Sequence, residues 1–132
     1  MSAKILVIDD NPTNLKLVSE LLGFEGHQIL KAVDAEEAQV VLADTLPELI
    51  LMDVALPGMD GLTLARKLKA DERIRHIRIV ALSAFAMKGD DQKAFDAGCD
   101  GYITKPVDTR KLPGQVANLL VKESQSHEHP HC

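Results

Sequence analysis

Aromatic side chains, cysteines and long apolar runs are all scarce in this 132-residue sequence. Aromatic residues make up 3% of the chain and tryptophan is absent, which removes the stacking platforms of single-stranded nucleic-acid binders. The net charge of -5 argues against contacts to phosphate backbones, because such contacts require clustered lysine and arginine. We therefore expect no direct nucleic-acid partner.

The two cysteines and the amino-terminal segment indicate a cytoplasmic protein without an export signal. Cys99 and Cys132 form neither a disulfide framework nor a metal-binding spacing, and Cys99 is predicted to be a small buried residue. No run approaches the roughly 18 apolar residues that a membrane-spanning helix needs. We expect a soluble protein in a reducing compartment, with no membrane partner.

The length and the hydrophobic content of 45% fit one globular domain over residues 1–122. A polar tail over residues 123–132 lacks apolar periodicity and is predicted to be disordered. Three alternate histidines and Cys132 in this tail could hold zinc or nickel. Because chain termini are commonly disordered, we favour a flexible terminus that binds metal only adventitiously.

Five short apolar segments alternate with five helical patterns along the chain. The predicted strands cover residues 4–8, 28–32, 49–52, 77–82 and 101–104. Asn11-Pro12, Asp34 and Asp108 are predicted to start helices, and Pro113 predicts a distorted first turn or a late start for the last helix. This alternation predicts an α/β fold with a parallel sheet and helices on both faces.

The strand order follows from how apolar each strand is. The first, third and fourth strands are the most apolar and belong in the centre, whereas the second has the composition of an edge strand. This placement favours the order 2-1-3-4-5, which is the flavodoxin-like arrangement.

Asp53 is the candidate reactive residue. It follows an unbroken apolar run, and Pro57-Gly58 then blocks further strand pairing, so its carboxylate is predicted at the carboxyl end of a buried strand. Ligands bind at that edge of open parallel sheets. Taken alone, an aspartate here could equally form a turn or cap a helix.

Four other polar residues also follow predicted strands, namely Asp9, Asp10, Ser83 and Lys105. Each alone could be a cap, a turn former or a solvated charge. In the predicted order these strand ends meet, and two carboxylates about 4 Å apart repel by roughly 4 kcal/mol at an effective dielectric constant of about 20. Since one lysine faces three carboxylates, a bound Mg²⁺ ion is the simplest compensation.

A divalent cation, a lysine and a hydroxyl around one carboxylate are typical of a phosphoryl acceptor site. Asp53 would attack phosphorus, while Asp9 and Asp10 would hold Mg²⁺. Lys105 and Ser83 would bind phosphoryl oxygens, so that catalysis is positioning and charge neutralisation.

Five motifs in order at these strand ends resemble the receiver domain of two-component response regulators. They are Asp9-Asp10, Asp53, Leu56-Pro57-Gly58-Met59-Asp60-Gly61, Ser83-Ala84 and Gly101-Tyr102-Ile103-Thr104-Lys105-Pro106. The resemblance covers roughly residues 4 to 121 and implies a CheY-like fold. The segment at 83–90 and the lack of an effector domain resemble stand-alone receivers of the DivK type.

The resemblance implies a phosphorylation-controlled binding protein of bacterial signalling rather than an enzyme. A histidine kinase or a histidine phosphotransfer protein would donate the phosphoryl group to Asp53. Mg²⁺ would be bound by Asp9, Asp10, Asp53 and the backbone carbonyl of Ala55. A downstream protein target would recognise the phosphorylated form, which would be a monomer or a phosphorylation-dependent dimer.

Ser83 and Tyr102 would be the switch pair, altering the surface of the fourth helix, fifth strand and fifth helix. The bond between Lys105 and Pro106 is expected to be cis. Ala55 and Phe85 lack the polar groups that in some relatives position a hydrolytic water, which predicts slow self-dephosphorylation.

A phosphatase of the haloacid-dehalogenase type is the main alternative, because it also uses an aspartate nucleophile, Mg²⁺ and a lysine. Such enzymes carry an Asp-x-Asp pair, and Ala55 occupies the position of the second aspartate here. A flavin or nucleotide carrier is a third possibility, but the sequence has no glycine-rich phosphate loop.

Overall fold

A computed structural model describes residues 3–84, 89–105 and 107–128 of the chain. Residue 85, which the sequence analysis links to slow dephosphorylation, lies outside these described residues. So do the predicted cis bond at residue 106 and the last part of the histidine tail, at 129–132.

Five strands and five helices alternate along the described chain, as predicted. The strands are β1 (Lys4–Ile8), β2 (Gln28–Ala32), β3 (Leu49–Asp53), β4 (Arg78–Ser83) and β5 (Gly101–Thr104). The helices are α1 (Pro12–Phe24), α2 (Ala35–Asp44), α3 (Gly61–Lys69), α4 (Asp90–Asp96) and α5 (Leu112–Glu128).

The strands form one parallel sheet in the order β2-β1-β3-β4-β5, which confirms the predicted order. Every residue of β3 is buried, whereas β2 is mostly half-buried or exposed at the sheet edge. The register sets Asp53 opposite Leu82 and Ser83 opposite Thr104. The carboxyl ends of the four adjacent strands β1, β3, β4 and β5 therefore lie along one edge.

Two apolar cores cover the two faces of the sheet. Side chains from α2, α3 and α4 pack on one face and side chains from α1 and α5 pack on the other. Successive strand residues alternate between the cores, as Ile50 and Leu51 show. The sheet is thus buried on both sides and its functional edge stays open.

Side-chain caps fix where the helices start. The Asn11 side chain accepts hydrogen bonds from the backbone N–H groups of Thr13 and Asn14, at 2.9 and 3.2 Å. The Asp34 carboxylate accepts one from the Glu37 N–H at 2.8 Å. These caps replace partners that the first turn of a helix lacks, and they agree with the predicted helix starts.

The structure differs from the prediction at two strands and at the cap of the last helix. β3 extends one residue further than predicted, to Asp53. β4 starts at Arg78 rather than at residue 77, because the Ile77 N–H is held in a turn by the Ile74 carbonyl at 2.8 Å. Asp108 does not cap α5: its carboxylate accepts from the Arg110 N–H at 2.9 Å in a preceding turn, and the helix starts late, at residue 112.

The last helix extends into the segment that the sequence predicts to be a tail. α5 continues to Glu128, so it includes residues 123–128. From residue 115 to that point the sequence contains neither proline nor glycine and is rich in helix-forming residues.

Within the described part of the chain, no helix combines the length and the hydropathy that a bilayer crossing demands.

Gly61 lies where the start of α3 passes closest to the end of β3. A Cβ atom at this position would overlap the backbone of Asp53 and would approach the Val54 Cα to 2.8 Å. The Gly61 N–H also donates to the Val54 carbonyl at 2.8 Å, which keeps the two segments together. Only glycine fits this contact without moving the strand that carries Asp53.

We expect Gly61→Ala to lower the free energy of unfolding by about 1–3 kcal/mol, because the new methyl group meets backbone atoms. Urea denaturation measures the change. Gly23→Ala is the matched control: its Cβ meets nothing within 4 Å in α1 and should raise stability by up to about 1 kcal/mol. Equal stability of Gly61→Ala and the wild type would contradict the close approach.

Candidate functional site

The predicted site residues meet at the carboxyl edge of the sheet. A cleft of about 510 Å³ opens there, and its described lining includes Asp10, Asn11, Asp53, Ala55, Ser83 and Lys105. Asp9 is buried beside the cleft at the end of β1. The structure therefore brings together all the polar residues that the sequence placed after strands.

Three carboxylates converge in this region. Each of Asp9, Asp10 and Asp53 offers an oxygen, and these oxygens all lie within 4.8 Å of one another. Asp9 and Asp53 are buried and Asp10 is exposed, so the group has one solvent-facing side. An all-oxygen donor set with an open side fits Mg²⁺, which binds few protein ligands and keeps several waters.

Lys105 is the cation of the site. Its Nζ donates to Asp53 Oδ2 at 3.0 Å and to Asp9 Oδ2 at 3.1 Å, and its side chain is 13% exposed. Burial by itself would lower the pKa of Lys105, but the hydrogen bonds to both carboxylates and their charges outweigh this effect and raise the pKa. One ammonium group thus bridges two buried carboxylates.

The Asp9 carboxylate is under-compensated despite two donors. Its burial raises the pKa most, and the nearby charge of Asp53 raises it further. The Asn11 N–H, at 2.9 Å from Asp9 Oδ1, and the Lys105 ammonium lower the pKa without cancelling the increase. Additional positive charge at this edge would therefore stabilise ionised Asp9.

Both oxygens of Asp53 have defined partners. Oδ1 accepts from the Ala55 N–H at 3.0 Å, and Oδ2 accepts from Lys105. The backbone after Asp53 is tied to β4, because the Val54 N–H donates to the Leu82 carbonyl at 2.9 Å. The carboxylate is thus fixed in orientation at the wall of the cleft.

Ser83 and Tyr102 lie on neighbouring strands. Ser83 is buried at the end of β4 beside the cleft, and Tyr102 is half-buried on β5, opposite Ala81. Side chains two residues apart on a strand share a face, so Ala81 and Ser83 lie on the same face of the sheet. Tyr102, opposite Ala81, lies on that face too. There Tyr102 packs against the core beneath α2, α3 and α4.

Sequence reasoning missed a second charged cluster, which lies at the opposite end of the sheet. Lys69 Nζ donates to Asp100 Oδ2 at 2.9 Å and to the carbonyls of Arg75 and Ile77 at 3.0 and 2.9 Å. Lys69 begins a run of charged residues and Asp100 is 31 residues away, so no local pattern indicated the pair. This cluster ties the end of α3 to the turn before β5.

Cys99 is buried in the same region, as predicted. Burial raises the pKa of its thiol to about 11, and the neighbouring Asp100 charge adds to the increase. The thiol therefore stays protonated at neutral pH and has a packing role.

The fold and the site define a class: a doubly wound parallel α/β domain with an acidic cleft and a lysine at the carboxyl edge of its sheet. The chain belongs to the response regulator receiver domain family, whose model matches residues 5–117. It is accordingly a receiver domain of two-component signalling, and the predicted family and fold class are confirmed.

Individual relatives agree with this assignment. The polar-differentiation response regulator DivK of Brucella ovis is 38% identical over 120 residues, covering 91% of this chain and 98% of that protein. The response regulator PleD of Caulobacter vibrioides is 40% identical over 119 residues, covering 90% of this chain and 26% of PleD. A putative response regulator from Chloroflexus aurantiacus superposes with a TM-score of 0.87 at 28% identity, covering 92% of this chain and 99% of that one.

We expect Asp9→Asn to raise the free energy of unfolding in Mg²⁺-free buffer by on the order of 1 kcal/mol, because it removes a buried, under-compensated charge. The raised pKa means that the folded state binds the Asp9 proton more tightly than the unfolded state does. The stability that protonated Asp9 contributes is therefore complete at low pH and is lost as pH rises through the raised pKa.

Urea denaturation with EDTA at about pH 5 and about pH 7.5 tests this sign, and the gain should be larger at the higher pH. Asp34→Asn is the control, since asparagine caps a helix as well as aspartate does. Asp9→Asn that destabilises the fold at both pH values would refute the inferred charge imbalance.

Proposed function

We propose that this receiver domain accepts a phosphoryl group on Asp53 from a phosphohistidine of a histidine kinase or a histidine phosphotransfer protein. The observation that carries the proposal is the surroundings of Asp53. Its oxygens are held by the Ala55 N–H and by Lys105, with oxygens of two further carboxylates within 4.8 Å. Such a fixed carboxylate at the wall of the cleft, beside the Lys105 ammonium, suits attack on an anionic phosphoryl group.

The transfer would exchange one bond for another. An Asp53 oxygen forms the new P–O bond while the P–N bond to the donor imidazole breaks, and the bonding electrons stay on the imidazole nitrogen. Lys105 binds one phosphoryl oxygen as a point charge and Ser83 donates to another. Mg²⁺, held by Asp9, Asp10, Asp53 and the Ala55 carbonyl, would neutralise the charge of the phosphoryl oxygens.

The phosphorylated domain would act as a binding switch for a downstream protein. Moving a two-state surface from mostly off to mostly on requires about 5.5 kcal/mol of differential interaction. Hydrogen bonds to charged groups contribute about 1.5–3 kcal/mol each, so new contacts from Lys105 and Ser83 supply much of this amount.

The switch would reach the surface through Tyr102 and α4. Tyr102 packs on the core beneath α4, and α4 is a short helix that buries Ala94. Its N-cap, Gly89, makes no side-chain capping hydrogen bond. A small shift at Ser83 would therefore alter the surface formed by α4, β5 and α5. The target protein would bind this surface in the cytoplasm. The phosphorylated domain would be a monomer or a phosphorylation-dependent dimer.

Retention of the phosphoryl group distinguishes this role from that of a phosphatase. Ala55 offers no side-chain group to position a hydrolytic water, which supports slow loss of the acyl phosphate. The chain would assist its own phosphorylation and dephosphorylation but would not turn over small phosphoesters.

Incubation with Mg²⁺ and acetyl phosphate should add one phosphoryl group, detected by intact-protein mass spectrometry. Asp53→Asn should abolish the addition, and EDTA should suppress it in the wild type, because the attacking carboxylate and the neutralising cation are then missing. Asp60→Asn is the matched control: Asp60 caps α3 in the same loop, asparagine caps equally well, and labelling should persist.

Labelling of Asp53→Asn would disprove the site assignment. Multiple-turnover release of phosphate from a small phosphoester would support the phosphatase alternative instead.

A further inference from the structure

A second surface depression lies apart from the acidic cleft, between α2 and the loop that follows β3. This groove has a volume of about 730 Å³. Val40 and Ala43 of α2 face Pro57 and Met59 of the loop across it. Val40 is 67% exposed, and Met59 is half-buried on the core of the same face, so the groove offers apolar contact area to solvent.

Exposed apolar side chains concentrate around α2. Six large apolar side chains are exposed among the residues that the structure describes, and Val33, Val40 and Leu46 lie before, within and after this helix. Single exposed apolar residues are ordinary on protein surfaces. Of these three, Val40 lies on α2 itself and lines the groove, which makes the groove a candidate contact surface.

The charge of the groove has one sign. Asp34 and Glu36 line it, and none of its described lining residues is cationic. The whole of α2 carries three carboxylates and no lysine, arginine or histidine. An apolar floor with an anionic rim complements a segment that presents apolar side chains flanked by lysine or arginine.

We propose that this groove docks a basic amphipathic helix of a partner protein. One apolar side chain of that helix would cover Val40 and Met59, and its basic residues would lie near Asp34 and Glu36. Helices bind grooves in this way through apolar anchors spaced one turn apart. The groove wall belongs to the same loop as Ala55, so the docked helix would contact the segment that follows Asp53.

A second copy of this chain is a poorer occupant. A symmetric pair would bring the same patch of both copies together, so the carboxylates of α2 would face each other. The net charge of -5 adds repulsion between copies. The proposal does not depend on phosphorylation, and its test fails or succeeds separately from that of phosphotransfer.

The test titrates the ¹⁵N-labelled full chain with a synthetic helix-forming peptide that carries leucine on one face and lysine on the other. A peptide with glutamate in place of lysine is the control. The lysine peptide should shift the amide signals of α2 and residues 57–59 saturably. Val40→Lys should weaken the affinity by about tenfold or more, because it removes an apolar contact and adds a repelling charge.

Two variants sharpen the result. Leu17→Lys, at an exposed apolar position on α1, should leave the affinity unchanged. Glu36→Gln should weaken binding and reduce its salt dependence, and it carries the test if Val40→Lys fails to fold.

Several outcomes would overturn the proposal: no saturable shift, shifts that map to another surface, equal binding of the glutamate peptide, or full affinity in both groove variants. Sedimentation that finds a dimer of the wild type and a monomer of Val40→Lys would assign the groove to a second copy.

Discussion

One ammonium group between two buried carboxylates is the interaction on which the rest of the site depends. The Nζ atom of Lys105 lies 3.0 Å from Asp53 Oδ2 and 3.1 Å from Asp9 Oδ2. Lys105 follows β5, whereas the two aspartates lie at the ends of β3 and β1, neither of which neighbours β5 in the sheet. Without that cation, the ends of β1 and β3 would hold uncompensated charge in a place that solvent barely reaches. The site is therefore a balance of charge across the width of the sheet, and anything that adds an anion or a cation disturbs it.

The order of the strands brings these charged groups together and also restricts how far they can move apart. Parallel strands covered on both faces leave their carboxyl edge as the place where loops can carry polar groups. Gly61 keeps α3 close to the end of β3, and the Ala55 N–H fixes one oxygen of Asp53. The carboxylate cannot move away from its neighbours, so a change in charge has to be absorbed by the surrounding residues. That constraint is what would make this domain responsive to the phosphoryl group that we propose it accepts.

The sequence predicts the strands well, and with them which polar residues meet at the carboxyl edge of the sheet, because apolar runs closed by glycine, proline or aspartate leave little freedom. It fails where a backbone hydrogen bond overrides the pattern, as in the turn that withholds Ile77 from β4. It also cannot distinguish buried Asp9 from exposed Asp10, since their difference depends on which way the chain leaves the sheet. The pairing of Lys69 with Asp100 depends on tertiary approach, and nothing local marks it.

The affinity of Mg²⁺ for the wild type and for Lys105→Met, measured by isothermal titration calorimetry, tests this account most directly. If Lys105 is the cation that compensates Asp9 and Asp53, it competes with the metal for their oxygens, and the variant should bind Mg²⁺ severalfold more tightly. Equal or weaker binding by the variant would contradict the central role of that ammonium group.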